Sequence, residues 1–315
     1  TIECPLQEYL RRNLQYRLSP VVHYGEYHDR LLKRLYPGAR LGVVVRKGGV
    51  AGRVDAIDGG RAIEHKVVAA PVTPLLATPR VFRAIARGVQ DIIASLMPIL
   101  PGIGRPGGNG ARMNGVTKPS CISDNPFTIG CIARVYFGVE LSAKEFYERT
   151  RRYITEYIYR LPPEEYGVLA GLVRNAPSRV GRDRIAYTTI PIAVGAVQAI
   201  TYNKLLGGGY RPTLSLSITP RTRLLPIVNI EFDLGGLPSS VYDFERAVEV
   251  VRNPQGFKPR EVASLKLRPC RYCDLRAVCP FRSEFEGFDR EVLERDGELA
   301  SMVVGVVGRQ VSQAR

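Results

Sequence analysis

Apolar residues recur at helical spacing through Leu6, Tyr9, Leu10 and Leu14, and again through Tyr27, Leu31, Leu32 and Leu35, before Pro37-Gly38 closes the run. The pattern predicts two helices over residues 5–35. It then shortens: Val/Ile-rich runs at 41–46, 50–57 and 62–68 are separated by Lys47-Gly48-Gly49 and by Asp58-Gly59-Gly60-Arg61. Such runs with paired glycines between them predict a three-strand meander of hairpins. From about residue 70 to 187 the character changes, with a Pro/Gly-rich stretch at 98–115 and helical patterns on either side of it. Ser142-x-x-Glu145 reads as a capping box for a helix running to Arg160. Beyond it the spacing predicts a helix at 192–206 ended by Gly207-Gly208-Gly209, strands at 214–218 and 225–232, and a helix at 242–251. No internal repeat is visible.

Composition narrows the class. The chain has 315 residues, of which 45% are hydrophobic and 24% charged, so a folded protein is expected rather than a disordered one. Its 45 Lys and Arg against 30 Asp and Glu give a net charge of +15, and Arg outnumbers Lys by 37 to 8. That balance predicts a polyanionic partner, and Arg is the base that forks onto phosphates. The longest apolar window, 92–100, is too short to span a bilayer and contains Ser95 and Pro98, so no membrane association is expected. No stretch has the layout of a secretory leader, which makes a cytoplasmic location the expectation. Six cysteines in such a chain point to metal or catalysis before disulfides.

Three constellations could carry chemistry. With Gly59-Gly60 at the centre of their hairpin, Asp58 faces Arg61, and counting back sets Asp55 opposite Glu64, with Lys66 on the same face and His65 on the other beside Val54 and Ile63. Two carboxylates placed opposite each other repel, and a divalent cation reverses that sign. The competing reading is a solvated ion-pair face, with Arg53 opposite Lys66. The second constellation is Cys270-x2-Cys273-x5-Cys279, an incomplete tetrahedron for which Cys4 is the candidate fourth ligand. Zinc and a cubane iron-sulfur cluster are the two options; structural zinc sites usually use paired Cys-x-x-Cys knuckles, and the 1+3 spacing suits the cluster better than it suits zinc. Cys121 and Cys131 read as buried thiols or a local disulfide. The third is Gln198-x3-Tyr202, one turn apart on one helix face. The Gly-rich run at 102–115 lacks a Gly-Lys-Ser/Thr ending and is no phosphate loop.

Taken in order, Cys4, His28, Asp55, Glu64-x-Lys66, Gln198-x3-Tyr202 and Cys270-x2-Cys273-x5-Cys279 resemble the RecB-like branch of the PD-(D/E)XK nucleases that carries an iron-sulfur staple, and within it the CRISPR-associated exonuclease family, the fourth Cas protein. The resemblance covers about residues 1–69 and 188–282. It implies an α/β restriction-endonuclease-like core, a mixed sheet flanked by helices, built from 1–69 and 188–284, with a mainly helical insertion at 70–187 and a C-terminal tail at 285–315. It implies a 4Fe-4S cluster on Cys4, Cys270, Cys273 and Cys279. It further implies a Mg2+ or Mn2+ site on His28, Asp55, Glu64 and the His65 carbonyl, Lys66 at the attacking water, and Gln198 and Tyr202 bordering the site, with His23 a competitor to His28. The implied activity is metal-dependent DNA exonuclease action, with DNA ends or single strands as substrate and other CRISPR adaptation proteins as partners, and an oligomer is compatible with it. A repair exonuclease with the same site and a non-catalytic DNA-binding subunit are the alternatives. The insertion, with 16 Lys/Arg against 9 Asp/Glu over 70–188 and with Tyr147, Tyr153, Tyr157 and Tyr159 near Arg149, Arg152 and Arg160, would suit clamping of a single strand or docking of a protein.

Overall fold

A computed structural model describes residues 4–6, 22–69, 159–160, 182–219, 228–273, 275–277 and 279–313. Residues 142–158 of the helix expected to run to Arg160, the Gly-rich run, Cys121 and Cys131 lie outside the described residues, as do the side chains of His23 and of Arg149 and Arg152.

The chain divides into two compact units: residues 1–66, 162–216 and 230–315 in one, and 67–161 with 217–229 in the other. In the first unit, α1 (Val22–Leu35) buries Leu31, Leu32 and Leu35 and carries Lys33 and Arg34 in its last turn, where cations suit the helix dipole. The meander follows as β1 (Arg40–Lys47), β2 (Val50–Asp58) and β3 (Arg61–Ala69). Both turns have the geometry their sequences demand. Gly48, Gly49, Gly59 and Gly60 all take positive φ, which suits two-residue turns whose twist matches that of the strands. Lys47 therefore pairs with Val50, and Asp58 with Arg61.

Further along the chain come α2 (Arg182–Leu205), β5 (Arg211–Thr219) and β6 (Val228–Asp233), with residues 217–219 and 228–229 belonging to the second unit. The sheet order is β1-β2-β3-β5-β6-β4, where β4 is the two-residue strand Tyr159–Arg160. β1, β2 and β3 are antiparallel neighbours and β4 is parallel to β6, so the sheet is mixed and the architecture is α/β. Helix α2 begins ten residues before the predicted start at Ile192 and runs through Pro191, a residue that removes one backbone donor from the helix interior. It is apolar all round its middle, with Ile192, Ala193, Val194, Ala196, Val197 and Ala199 buried, as a helix packed on several sides must be. Leu205 and Tyr202 join the hairpin core of Val45, Val54, Ile57 and Ala62, whereas Ala193, Val194 and Val197 join a second core with Val250, Val262, Leu267, Phe285 and Leu299.

The stretch read as a tail after residue 285 is helical. After α3 (Phe244–Arg252), α4 (Pro259–Ser264) and the one-turn α5 (Arg282–Phe285) comes α6 (Asp289–Gln313), which buries Val292, Leu299, Ala300, Val303, Val304 and Val306. Gly297, Gly305 and Gly308, together with the charged first half, mask its periodicity in the sequence. A polar tie holds the first unit together: Arg61 donates to Asp58 at 2.6 Å and to Glu231 on β6 at 2.8 Å, and the Tyr36 hydroxyl donates to the other Glu231 oxygen at 2.8 Å.

In the second unit, Tyr159 and Arg160, expected at the end of a helix, instead pair with Val228 and Asn229, and the Asn229 amide donates to Ser217 Oγ at 3.1 Å.

Within α6, Asp296 is fully buried and neither carboxylate oxygen has a hydrogen-bond partner among the described residues. Burial, countered in part by Arg295 and Lys266, pushes its pKa up to about 8. The folded protein thus keeps a proton that the unfolded chain releases near pH 4, so this residue costs stability increasingly as pH rises from about 4 to about 8. Asp296→Asn is expected to unfold at higher denaturant than the native chain at pH 8, by about 1 to 3 kcal/mol, with the gap closing toward pH 4. Parallel denaturation curves across that range would refute the buried carboxylate.

Candidate functional site

The hairpin brings the predicted site residues together. The β2–β3 pairing runs Asp58↔Arg61, Ile57↔Ala62 and Ala56↔Ile63. One step further, the His65 amide donates to the Asp55 carboxylate at 2.8 Å, so Asp55 is held against the β3 backbone by its side chain. Glu64 is 3% exposed, which rules out a solvated ion-pair face at this position. Lys66 Nζ donates to Glu64 Oε1 at 2.5 Å, while Glu64 Oε2 is buried with no hydrogen-bond partner among the described residues. Burial raises the Glu64 pKa to about 8, the Asp55 carboxylate adding to the rise and Lys66 opposing it. Arg53, the other base of the hairpin, lies 3.5 Å from the exposed Asp29 of α1 instead.

Helix α1 delivers His28 to the same place. Its Nε2 stands 3.3 Å from the His65 carbonyl oxygen and 3.9 Å from Asp55 Oδ2, and its ring is tilted against the His65 ring at a centroid distance of 4.8 Å. The His65 ring is buried, and burial together with the nearby His28 and Lys66 holds its pKa well below the usual value. His65 thus offers the site its backbone, with a neutral ring behind.

Helix α2 borders the site through Tyr202, on which Glu64, Lys66 and Asp55 act electrostatically, although none of those three lines the cavity beside it. Gln198 and Tyr202 line a cavity of about 270 Å³ with residues 49–52 of the first hairpin and with Phe244, Val248 and Arg252 of α3. Tyr202 fits because residue 52 is glycine: a Cβ there would stand 2.5 Å from the Tyr202 ring. Burial, reinforced by Glu64, pushes the Tyr202 hydroxyl up to about 12, so it stays protonated. The Gln198 side-chain oxygen is buried and has no hydrogen-bond partner among the described residues. Lys66 itself lies along α2 at Gly195, where a Cβ would meet Lys66 Cγ at 3.0 Å and Leu214 Cδ1 at 2.5 Å.

Among the described residues Cys4, Cys270, Cys273 and Cys279 form no disulfide, and the four line one pocket although Cys4 is 266 residues from Cys270. Leu6, Leu275 and Phe285 supply its apolar wall, and Lys266, Arg268, Arg276 and Arg282 its cations. The Cys270 loop is pinned by the first residue of α6: Asp289 accepts from the Cys270 amide at 2.5 Å and the Arg271 amide at 3.0 Å. Arg295 donates to the carbonyls of Ser264, at 2.5 Å, and of Lys266. Sequence reading missed Lys266, Asp289, Arg295 and Asp296. Asp296 alone leaves a trace, since it sits four residues from both Val292 and Ala300 in an otherwise apolar stripe.

Among the described residues no three His, Cys, Asp or Glu side chains are closed into a metal cage. The donor chemistry nevertheless fits the expected groups in both places. Four thiols surround one pocket furnished with cations, and at the hairpin an orphaned buried carboxylate oxygen adjoins a second carboxylate and an imidazole. Comparison with protein-family models, with curated proteins and with solved structures finds no match to this chain. Among the described residues no helix is long and apolar enough to cross a membrane.

Alanine at a helix-interior glycine ordinarily stabilises by about 1 kcal/mol. At Gly195 the overpacking against Leu214 and Lys66, of order 1 to 3 kcal/mol, is expected to win. Gly195→Ala should therefore lower the unfolding midpoint, and a raised midpoint would show that Lys66 does not lie against α2.

Proposed function

We propose that the chain is a metal-dependent nuclease that hydrolyses phosphodiester bonds at DNA ends, of the RecB-like PD-(D/E)XK type. The observation that carries this reading is the buried Glu64 carboxylate, held by Lys66 through one oxygen and orphaned at the other, beside Asp55. A folded protein keeps such a group only at a cost, and a site that needs two carboxylates and an ammonium together supplies the reason. The net charge of +15 supports a polyanionic substrate.

A divalent cation bound there supplies Lewis-acid polarisation of the phosphate and acidifies a bound water. Asp55 and Glu64 would hold it, and the His65 amide fixes the Asp55 carboxylate in direction. In this reading Lys66, paired with Glu64, orients the attacking water and offsets negative charge as it develops on the phosphate. His28 and the His65 carbonyl complete the polar edge. Tyr202, protonated at neutral pH, and Gln198 offer the strand hydrogen-bonding groups but no charge.

The four cysteines are assigned a 4Fe-4S cluster with a structural role, joining the N-terminal segment to the Cys270–Cys279 loop. Trimming DNA ends before their capture into CRISPR arrays is the setting that the resemblance suggests, with the other adaptation proteins as partners.

Asp55→Ala and Lys66→Ala are each expected to reduce Mg- or Mn-dependent cleavage of DNA ends by about 100-fold or more, with DNA affinity nearly intact because phosphate contacts elsewhere dominate binding. Undiminished cleavage by either variant sinks the site. Cys4→Ala should bleach the brown absorbance of anaerobically purified protein and lower its melting temperature, since the cluster closes a very long loop. A colourless native protein with stoichiometric zinc would refute the cluster.

A further inference from the structure

Among the described residues Lys266 is one of the largest fully buried side chains, at 1% exposure. A buried ammonium is costly unless an anion faces it. Its nearest partner is the Cys270 sulfur, 2.8 Å from Nζ; the Asp289 carboxylate is 3.8 Å away and already accepts from the amides of Cys270 and Arg271. The Phe285 ring, with its centroid 5.7 Å away, closes another side. Asp296 bears on Lys266 electrostatically without a hydrogen bond to either of its oxygens. A neutral thiol is a weak acceptor and would leave this ammonium poorly compensated, whereas a metal-bound thiolate is an anion. The cost of burying Lys266 is therefore met when Cys270 is a ligand.

We propose that Lys266 is the built-in counter-charge of the cysteine centre: a positioning residue that donates its N–H to the Cys270 ligand sulfur and, by charge and hydrogen bond, raises the reduction potential of the cluster held there. The inference rests on the cluster reading above. Charge and hydrogen bonds at the ligand sulfurs are among the quantities that set the potential of such clusters. A cation beside the sulfur favours the more negative, reduced state. In the one-electron step the cluster gains an electron from an external reductant, and Lys266 neither gains nor loses a bond.

The test is a dithionite titration of the anaerobically purified full chain, followed by the bleaching of visible absorbance and by the electron-paramagnetic signal of the reduced cluster, for the native protein, Lys266→Met and Lys266→Gln. The methionine has nearly the same length with neither charge nor donor; the glutamine keeps a donor without charge. Both are expected to retain iron. The equilibrium should move at least about tenfold toward the oxidised cluster in Lys266→Met, which is about 59 mV for one electron. The shift should be smaller in Lys266→Gln. A cluster present at native potential in Lys266→Met overturns the proposal while leaving the cluster reading intact. If Lys266→Met fails to fold, native potential in Lys266→Gln overturns the role of the charge. A native protein without iron overturns the cluster reading, and this inference with it.

Discussion

The two-residue turn at Gly59-Gly60 is the constraint on which the site depends. Both glycines sit at positive φ, where a side chain would be strained, and the turn admits one register, Asp58 against Arg61. Everything chemical is counted from there. A slip by one residue would turn Asp55, Glu64 and Lys66 to the other face of the sheet and leave His65 in their place. The register is secured twice over, since Arg61 is also fastened to Asp58 and to Glu231 on β6, and Glu231 to Tyr36 after α1. The helix that carries His28 and the strand that carries Asp55 are thereby referred to one frame.

Buried charge marks both places where chemistry is proposed. Glu64 and Lys266 are each almost fully removed from solvent, and each has one close partner, the Lys66 ammonium for Glu64 and the Cys270 sulfur for Lys266. Surface ion pairs such as Arg290 with Glu294 are cheap to form and say little. The buried ones oppose stability, so their presence calls for a reason outside packing. Asp296 belongs to the same group of burdens, with Arg295 beside it committed to the carbonyls of the segment that bears Lys266.

Helix α2 is the wall shared by these regions. Being apolar around its circumference, it packs the hairpin core through Tyr202 and Leu205 and the C-terminal core through Ala193, Val194 and Val197. Small residues make that double role workable: Gly195 lets Lys66 lie along the helix, and Gly52 lets the Tyr202 ring lie against β2.

Sequence alone determined the meander, because paired glycines between Val/Ile runs are local signals and each hairpin turn carries its own register. The same counting placed Asp55, Glu64 and Lys66 on common ground, and the Cys-x2-Cys-x5-Cys spacing singled out three of the four thiols. The depth of Glu64 was a tertiary decision, since whether a strand face meets solvent or α2 and α1 depends on elements far away in the chain. The start of α2 was another, as packing on both sides sustains a helix through Pro191 that local propensity would end. Helix α6 was hidden for a related reason: its glycines and Asp296 interrupt the apolar stripe, and only the core it joins shows which face is buried. Lys266 left no sequence signal at all. A lysine four residues before a cysteine is ordinary in water, and the chemistry arises because Phe285, Asp289 and the rest of α6 close over it and remove the water.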